Sequence, residues 1–536
     1  MSLRKHLFLP FIASALAFLA SCGGNGATPI TNPTPPPTGS FSASNLNGTY
    51  VFSVSGQDSS SAPYALVGTI TANGQGGISA GTIDVNDAAS GLAPNSAIKS
   101  GSYSVNVDGR GQISLSTSIL GTITFDFVLQ DSSHGLITEF DNNATGSGTL
   151  DLQSAGVTPS GTYAFSFGGA EYFSGTANPF ATVGNFTIGA GGTINGTEDF
   201  NDSQFAYSGQ ALSGTLVLGP SSTPGTSFSA SFPSTVFAAP LTFDVFAIDA
   251  THLKFIEMDS FANLSGDAYA QTTSTIPTGT LAFVLEGAFP NVSSTAAAGG
   301  FMVTDGNGNI TTASTADYND GGTVSPSPLG FSGTYTAGGT GRYTLALSGF
   351  SEGTSFVAYP FNGGIFLLES DNSGIMVGAA YQQTQNTFAA SEGYGLNLTG
   401  QNLTNSVEVD DIAEFTANST GAAVTGVVDE NSQPNGGPNV GLALSGTYTT
   451  PDTNGRGQVS ASAGNSSVST LNGGFLITYY AVDGTTYPFI ETDSNGQVTA
   501  GAFVKQNSGA SAAVAKPHLF SVTPLPRANS KWRKLK

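Results

Sequence analysis

The sequence predicts an all-β chain. Its body reads as four tandem repeats of about 110 residues, each an eight-stranded up-and-down β-barrel, with a two-layer β-sandwich as the alternative. Three observations predict this. Glycine is abundant and strand formers outnumber helix formers, while no stretch holds an apolar period of 3.6. Apolar alternating runs separated by turn signals number about eight per unit. The same order of elements recurs at spacings of 113, 118 and 113 residues. Such a period is domain-sized; solenoid units run about 20–50 residues. Simple hairpin succession favours a barrel, because closure removes exposed strand edges.

Each unit opens with an alternating strand: Tyr50, Phe52, Val54; Tyr163, Phe165, Phe167; Leu281, Phe283, Leu285; Tyr394, Leu396, Leu398. A glycine-rich hairpin follows, as at Asn73-Gly74-Gln75-Gly76-Gly77. An acidic element comes next: Asp84, Asn86 and Asp87; Asp199, Asn201 and Asp202; Asp317, Asn319 and Asp320; and the shortened Asp429-Glu430-Asn431. A strand beginning at Tyr103, Leu216, Tyr335 or Tyr448 precedes a turn arginine in units one, three and four: Arg110, Arg342, Arg456. Every unit then carries Glu-x-Asp: Glu139 and Asp141, Glu257 and Asp259, Glu369 and Asp371, Glu491 and Asp493. A closing strand ends near Gln153, Gln271, Gln382 and Gln506. The resulting division is a leader at 1–21, a Pro/Thr-rich tether at 22–44, repeats at 45–153, 158–271, 276–383 and 389–506, and a basic tail at 507–536. Four such units in file would reach on the order of 100 Å.

The carboxylates are the candidate sites. Strand alternation puts both acids of Glu-x-Asp on one face, together with Ile137, Phe255, Leu367 or Phe489 two residues earlier. That face is expected to look inward. An inward glutamate needs a partner, and the turn arginines are the expected ones, with Lys254 serving unit two. The pair reads as a structural clamp first and as a ligand-binding site second. The Asp-x-Asn-Asp element reads as turn chemistry, with weak calcium ligation as its alternative, since a hard cation takes oxygen ligands. No other cofactor is expected.

Catalytic patterns are sparse. Gly77-Ile78-Ser79-Ala80-Gly81 fits a hydrolase elbow only between a strand and a helix, and here it falls in a β-hairpin. His134 and His252 occupy matching turns, but units three and four have Gly364 and Thr486 there.

Charge is unevenly placed. All 36 acidic residues precede Gln506, against six basic ones between Cys22 and Lys505. Such a body disfavours nucleic acid, which needs a basic footprint. The last 31 residues carry six basic groups, no acidic one, and the lone tryptophan, Trp532. They read as a solvated end or a contact for an anionic partner.

At the N-terminus Arg4 and Lys5 precede the apolar run Leu7 to Ala20 and the sequence Leu19-Ala20-Ser21-Cys22. This resembles a bacterial lipoprotein precursor and matches its lipobox at all four positions. The resemblance implies cleavage after Ser21, lipid on the Cys22 sulfur, and an envelope location; Gly23 in place of aspartate favours the outer membrane. Tandem units of this kind are similar to uncharacterised surface lipoproteins of environmental bacteria, and in broad shape a unit resembles avidin-like or lipocalin-like barrels. The expected function is a binding, adhesion or structural module of the envelope, with polysaccharide or another cell-surface component as partner. The alternatives are small-ligand capture inside the barrels and, more remotely, a secreted hydrolase.

Overall fold

The computed structural model describes residues 41–173, 176–202, 205–217, 228–232, 241–289, 294–339, 341–433, 437–464 and 474–509. Cys22, most of the tether and all but the first three residues of the basic tail lie outside them.

Four closed antiparallel barrels follow one another. The first runs Asn47–Asp58, Pro63–Asn73, Gly77–Asp87, Gly91–Val105, Arg110–Thr117, Thr122–Leu129, His134–Phe140 and Ala144–Leu152, and its last strand pairs with its first. The second spans Gly161–Phe173 to Ala262–Ala270, the third Gly279–Phe289 to Ile375–Gln382, and the fourth Glu392–Asn402 to Gln497–Lys505. In the third, Ser294–Thr304 pairs with Asn309–Asp320 to close the barrel, and the two-residue strand Thr323–Val324 is an addition at the rim.

The barrels fill themselves. The alternating residues of each opening strand all lie in their own barrel's core. Aromatic rings take much of the space: Phe165 stacks on Phe167, which tilts against Phe243 and Phe255. In barrel 3 a cavity of about 20 Å³ remains among Phe283, Met302, Phe331, Leu345 and Phe350.

The outer faces divide in two. The strand Gly91–Val105 alternates between exposed and buried, as a one-sided strand should. In Asn47–Asp58, by contrast, every residue from Tyr50 onward is buried on either face. The reason is a neighbour. The first three strands of each barrel pack on the last three of the next: strands 1–3 of barrel 1 on barrel 2, of barrel 2 on barrel 3, of barrel 3 on barrel 4, and of barrel 4 back on barrel 1. The barrels therefore form a closed ring, not a file. Val51, Ala65 and Val67 meet Phe246, Ile248 and Ile256 at the first seam. One cluster, including Val183, Phe366, Phe301 and Tyr480, joins barrels 2, 3 and 4. Val128 and Leu136 meet Ile412 and Val504 where the ring closes. Each fully buried Val, Ile or Phe contributes about 1.5–3 kcal/mol, so these seams are comparable to small cores. The first and last described segments meet as well, through Asn45 Nδ2 and the Ser508 carbonyl at 3.3 Å.

Candidate functional site

The acidic element that reads as a turn is a lock between barrels. Asn86 donates its amide to the carbonyls of Glu257 and Ala262 in barrel 2, at 2.9 and 3.0 Å. Asn201 reaches the carbonyls of Glu369 and Gly374 in barrel 3, at 3.1 and 2.8 Å. Asn319 reaches those of Glu491 and Gln497 in barrel 4, at 3.1 and 2.8 Å. Asn431 reaches those of Glu139 and Ala144 in barrel 1, at 2.8 and 3.0 Å. One amide thus fills the turn after the seventh strand of the next barrel, four times.

The arginines do not pair with Glu-x-Asp. They bind the first aspartate of the acidic element in the preceding barrel. Arg342 makes a fork on Asp199, Nε to Oδ2 at 2.7 Å and Nη2 to Oδ1 at 2.6 Å, and the Tyr359 hydroxyl joins at 2.5 Å. Arg456 repeats this on Asp317 at 2.9 and 2.8 Å, with Tyr480 at 2.9 Å. Arg110 is divided between Asp108 at 3.1 Å and Asp429 at 3.3 Å. The expected partner was wrong because the strands that carry the arginine and the glutamate present them to different sides of the wall. Barrel 2 has no arginine, and Asp84 faces Asp244 instead; burial, reinforced by Asp244, pushes Asp84 up.

The last aspartate keeps the turn role. Asp87 Oδ1 accepts from the N–H of Ala89 and Ser90, and Asp202 Oδ1 from that of Phe205; Asp320 holds the same place at the end of its strand. The polar side chains of the element therefore diverge: the first aspartate to an arginine of the next barrel (Asp84 to Asp244 instead), the asparagine to a pair of carbonyls, and the last aspartate, where present, to a turn. They do not converge as a calcium cage must.

All four glutamates of Glu-x-Asp look into their barrels, on the face shared with Ile137, Phe255, Leu367 and Phe489. Their partners are neutral or acidic. Glu139 meets the Tyr64 hydroxyl. Glu257 accepts from Asn86 at 3.0 Å, Glu369 from Ser373 at 2.6 Å, and Glu491 from Asn495 and Thr499 at 2.7 and 2.8 Å. Burial pushes Glu491 up to about 7 and Glu369 to about 9, and Glu139 and Glu257 well above the carboxylate range. The aspartates clamp the hairpin, joining the start of the sixth strand to the turn after the seventh. Asp141 accepts from Thr124 and Asn143, Asp259 from Thr242 and Phe261, Asp371 from Thr354 and Ser373, and Asp493 from Leu476 and Asn495, all through backbone N–H groups.

Lys254 does not reach Glu257. It lies in the first seam against Asp267 at 3.0 Å and Asp151 at 3.9 Å. His252 and His134 hold the same two carboxylates, at 2.7 and 3.1 Å. Ser79 sits on a strand, its hydroxyl donating to the Thr71 carbonyl, so the elbow geometry of a hydrolase is not formed.

Sequence reasoning missed the glutamines as contacts. Gln153, Gln271, Gln383 and Gln506 each donate to a carbonyl of the next barrel: Ala247, Pro360, Ala481 and Leu129. The third member of the set is Gln383, one residue beyond the expected Gln382.

Strands four and five of every barrel stay outside the seams and form its outer wall. Their charged residues are Lys99, Arg110, Arg342 and Arg456, and the arginines turn into seams. Hydroxyls take many of the outward positions, beside exposed apolar residues such as Val217 and Val440. Ser102, Ser114 and Thr124 stand side by side on three adjacent strands of barrel 1, Thr336 and Thr344 on barrel 3, and Thr447 and Ser460 on barrel 4. Ser213 and Thr215 are exposed on barrel 2.

No protein-family model and no curated protein matches the chain. Among solved structures it is similar to transferrin-binding protein B of serogroup B Neisseria meningitidis, at 11% identity and TM-score 0.21, over 70% of this chain and 84% of that one. A mutant of the Haemophilus parasuis protein follows at 10% and 0.19, over 69% and 83%. Intact Ap-TbpB, with both lobes, gives 11% and 0.17, over 86% and 95%. At these scores the likeness bears on neither fold detail nor function.

Proposed function

We propose that this chain is a lipid-anchored envelope protein that binds a neutral, hydroxyl-rich polymer through the outer walls of its barrel ring. The observation that carries this is the fourfold wall of ordered hydroxyls on a body otherwise rich in acid. Neighbouring strands set such hydroxyls about 4.8 Å apart across the sheet and alternate ones nearly 7 Å apart along it. Each can donate and accept, as polysaccharide hydroxyls do. Four walls on one ring make weak contacts add through effective concentration. No cofactor enters this reading, and its mode is binding, not catalysis. Capture inside the barrels has less support, because a pocket for a small molecule needs about 300–1,000 Å³ and the barrel 3 cavity has room for about one water.

Retention on insoluble neutral glucan, chitin and mannan columns tests it. The intact protein should be held on at least one neutral polymer and eluted by the soluble form. Ser102→Glu, Ser114→Glu, Ser213→Glu, Thr215→Glu, Thr336→Glu, Thr344→Glu, Thr447→Glu and Ser460→Glu together should abolish retention while leaving the thermal melt unchanged. Equal retention of wild type and variant would discard the wall as the binding surface.

A further inference from the structure

The seam that closes the ring differs from the other three. Barrels 1 and 2, 2 and 3, and 3 and 4 are joined by the chain itself; barrels 4 and 1 are held by non-covalent contacts alone, among them the Asn507 N–H on the Gln130 carbonyl at 2.7 Å. On the second strand of barrel 1 the seam-facing residues are Ala65, Val67 and Thr69, and on that of barrel 3 Ala297, Gly299 and Phe301. On the second strand of barrel 4, Val407–Asn418, they are Glu408, Asp410, Ile412, Glu414 and Thr416. The three carboxylates are 1%, 0% and 0% exposed.

Asp410 is satisfied by the hydroxyls of Thr145 and Ser147 in barrel 1, at 2.8 and 2.7 Å. Neither oxygen of Glu408 nor of Glu414 has a hydrogen-bond partner, and Glu286 of barrel 3 leaves Oε1 unpaired as well. The charges around them are mostly of the same sign. Glu408 faces Asp410 and Glu286. Asp410 in turn lies near the inward Glu139 of barrel 1. Glu414 faces Asp108 and Arg110, and Arg110 is shared with Asp429 and Asp126. Among the described residues Arg110 is the cation that faces these carboxylates, and it faces Glu414, not Glu408. Ionised, Glu408 and Glu414 would each be a buried charge without a counter-charge of its own, which a folded interface does not bear. Among the described residues no three carboxylates or histidines are placed to hold a metal ion, which leaves the proton as the neutralising agent.

We propose that the barrel 4–barrel 1 seam is an acid latch: it is shut while Glu408 and Glu414 carry protons, and the ring opens there when they ionise. Burial raises Glu414 to about 9 and Glu286 to about 8, and raises Glu408 well above its ordinary value. In the open form these groups return toward ordinary carboxylate values near 4.3. Closure is then fully favoured below about pH 4 and weakens as pH climbs through the raised values. The latch is independent of what the outer walls bind.

Spin-label distances in the full chain test it. In a Cys22→Ser background, one label pair is placed at Ser116 and Ser462, on the outer walls of barrels 1 and 4. A control pair is placed at Ser213 and Ser348, on barrels 2 and 3. From about pH 5 to about pH 8 the ratio of long to short distances in the first pair should rise at least about a hundredfold, since one group that titrates near 4.3 open and near 9 closed contributes close to tenfold per pH unit. The control pair should stay constant. Glu408→Gln with Glu414→Gln should hold the ring shut at both pH values; if the double variant misfolds, Glu414→Gln alone should flatten the response in part. No change in the first pair, equal change in both pairs, or an unaltered response in a folded variant would overturn the latch. Re-closure at high pH by added calcium would overturn it too, by showing that a cation neutralises the seam.

Discussion

Asn431 in barrel 4 donates its side-chain amide to the backbone carbonyl of Glu139 in barrel 1, at 2.8 Å, and so joins two residues 292 positions apart. It completes a set begun by Asn86, Asn201 and Asn319, and the ring is closed because the fourth member finds the first barrel. Asn431→Asp removes both donors and turns an acceptor toward acceptors. It should destabilise the chain by about 1–3 kcal/mol, the cost of leaving buried carbonyls unpaired. Chemical denaturation reads the loss. Asn86→Asp, Asn201→Asp and Asn319→Asp should give similar values, and no loss at any of the four would mean that the amides are incidental.

The Arg342–Asp199 fork crosses the second seam and is buried on both sides, at 10% and 2% side-chain exposure. Breaking such a pair strands the other charge and costs about 3–5 kcal/mol. Arg342→Ala and Asp199→Ala should each lose stability in that range, and the double variant should lose less than the sum. Arg110→Ala and Glu139→Ala, which are not joined, should add within about 0.5 kcal/mol. Strong coupling of the second pair would contradict the geometry described above.

Much of one barrel is legible in the sequence and little of the ring is. Tyr50, Phe52 and Val54 alternate as a strand must, and the same alternation places Glu139 inside through Ile137. The ring escaped because its contacts use residues with ordinary local meanings. Asp199 and Asn201 look like turn formers, and only a second barrel shows that they are not. A signal was nonetheless present. Outward positions on the opening strands carry Ala164, Ala282 and Val284, whereas those on the outer wall carry Ser102, Ser114 and Thr447. A strand apolar on both faces is covered on both faces. The arginines were assigned a partner in their own unit because unit spacing is visible in a sequence and the rotation between units is not.

The membrane anchor rests on the lipobox, and Cys22 lies outside the described residues. Cys22→Ala should release the protein from the membrane fraction or leave an uncleaved precursor. Mass spectrometry of the native N-terminal peptide should show acyl chains on Cys22. Several chains are expected, since one acyl chain alone holds weakly, at about 0.8 kcal/mol per buried methylene. Unmodified peptide with unchanged fractionation would remove the anchor.

The inward glutamates make stability depend on pH in the sense opposite to a salt-bridged carboxylate. Glu369 is 0% exposed, and Ser373 donates to its Oε1 while Oε2 finds no partner. Burial raises it to about 9, so at neutral pH it is a carboxylic acid. Asp371 lies beside it and raises it further. Burial works against the Asp371 charge, but Ser373, the N–H of Thr354 and Glu369 together hold it below the usual range. In the unfolded chain Glu369 titrates near 4.3. The folded state therefore binds the extra proton, and its contribution is whole below about pH 4 and drains away as pH rises through about 9. Glu369→Gln keeps the shape and supplies an N–H where the acid supplied an O–H, but it cannot ionise. The variant should match wild type within about 1 kcal/mol at pH 4 and exceed it by about 4–5 kcal/mol at pH 8, because wild type loses about 1.4 kcal/mol per pH unit above about 4.3. Urea melts of both chains across that range decide it. A variant that is less stable at pH 8, with a parallel pH profile, would show that Glu369 is ionised in the barrel and balanced by a charge other than its present neighbours.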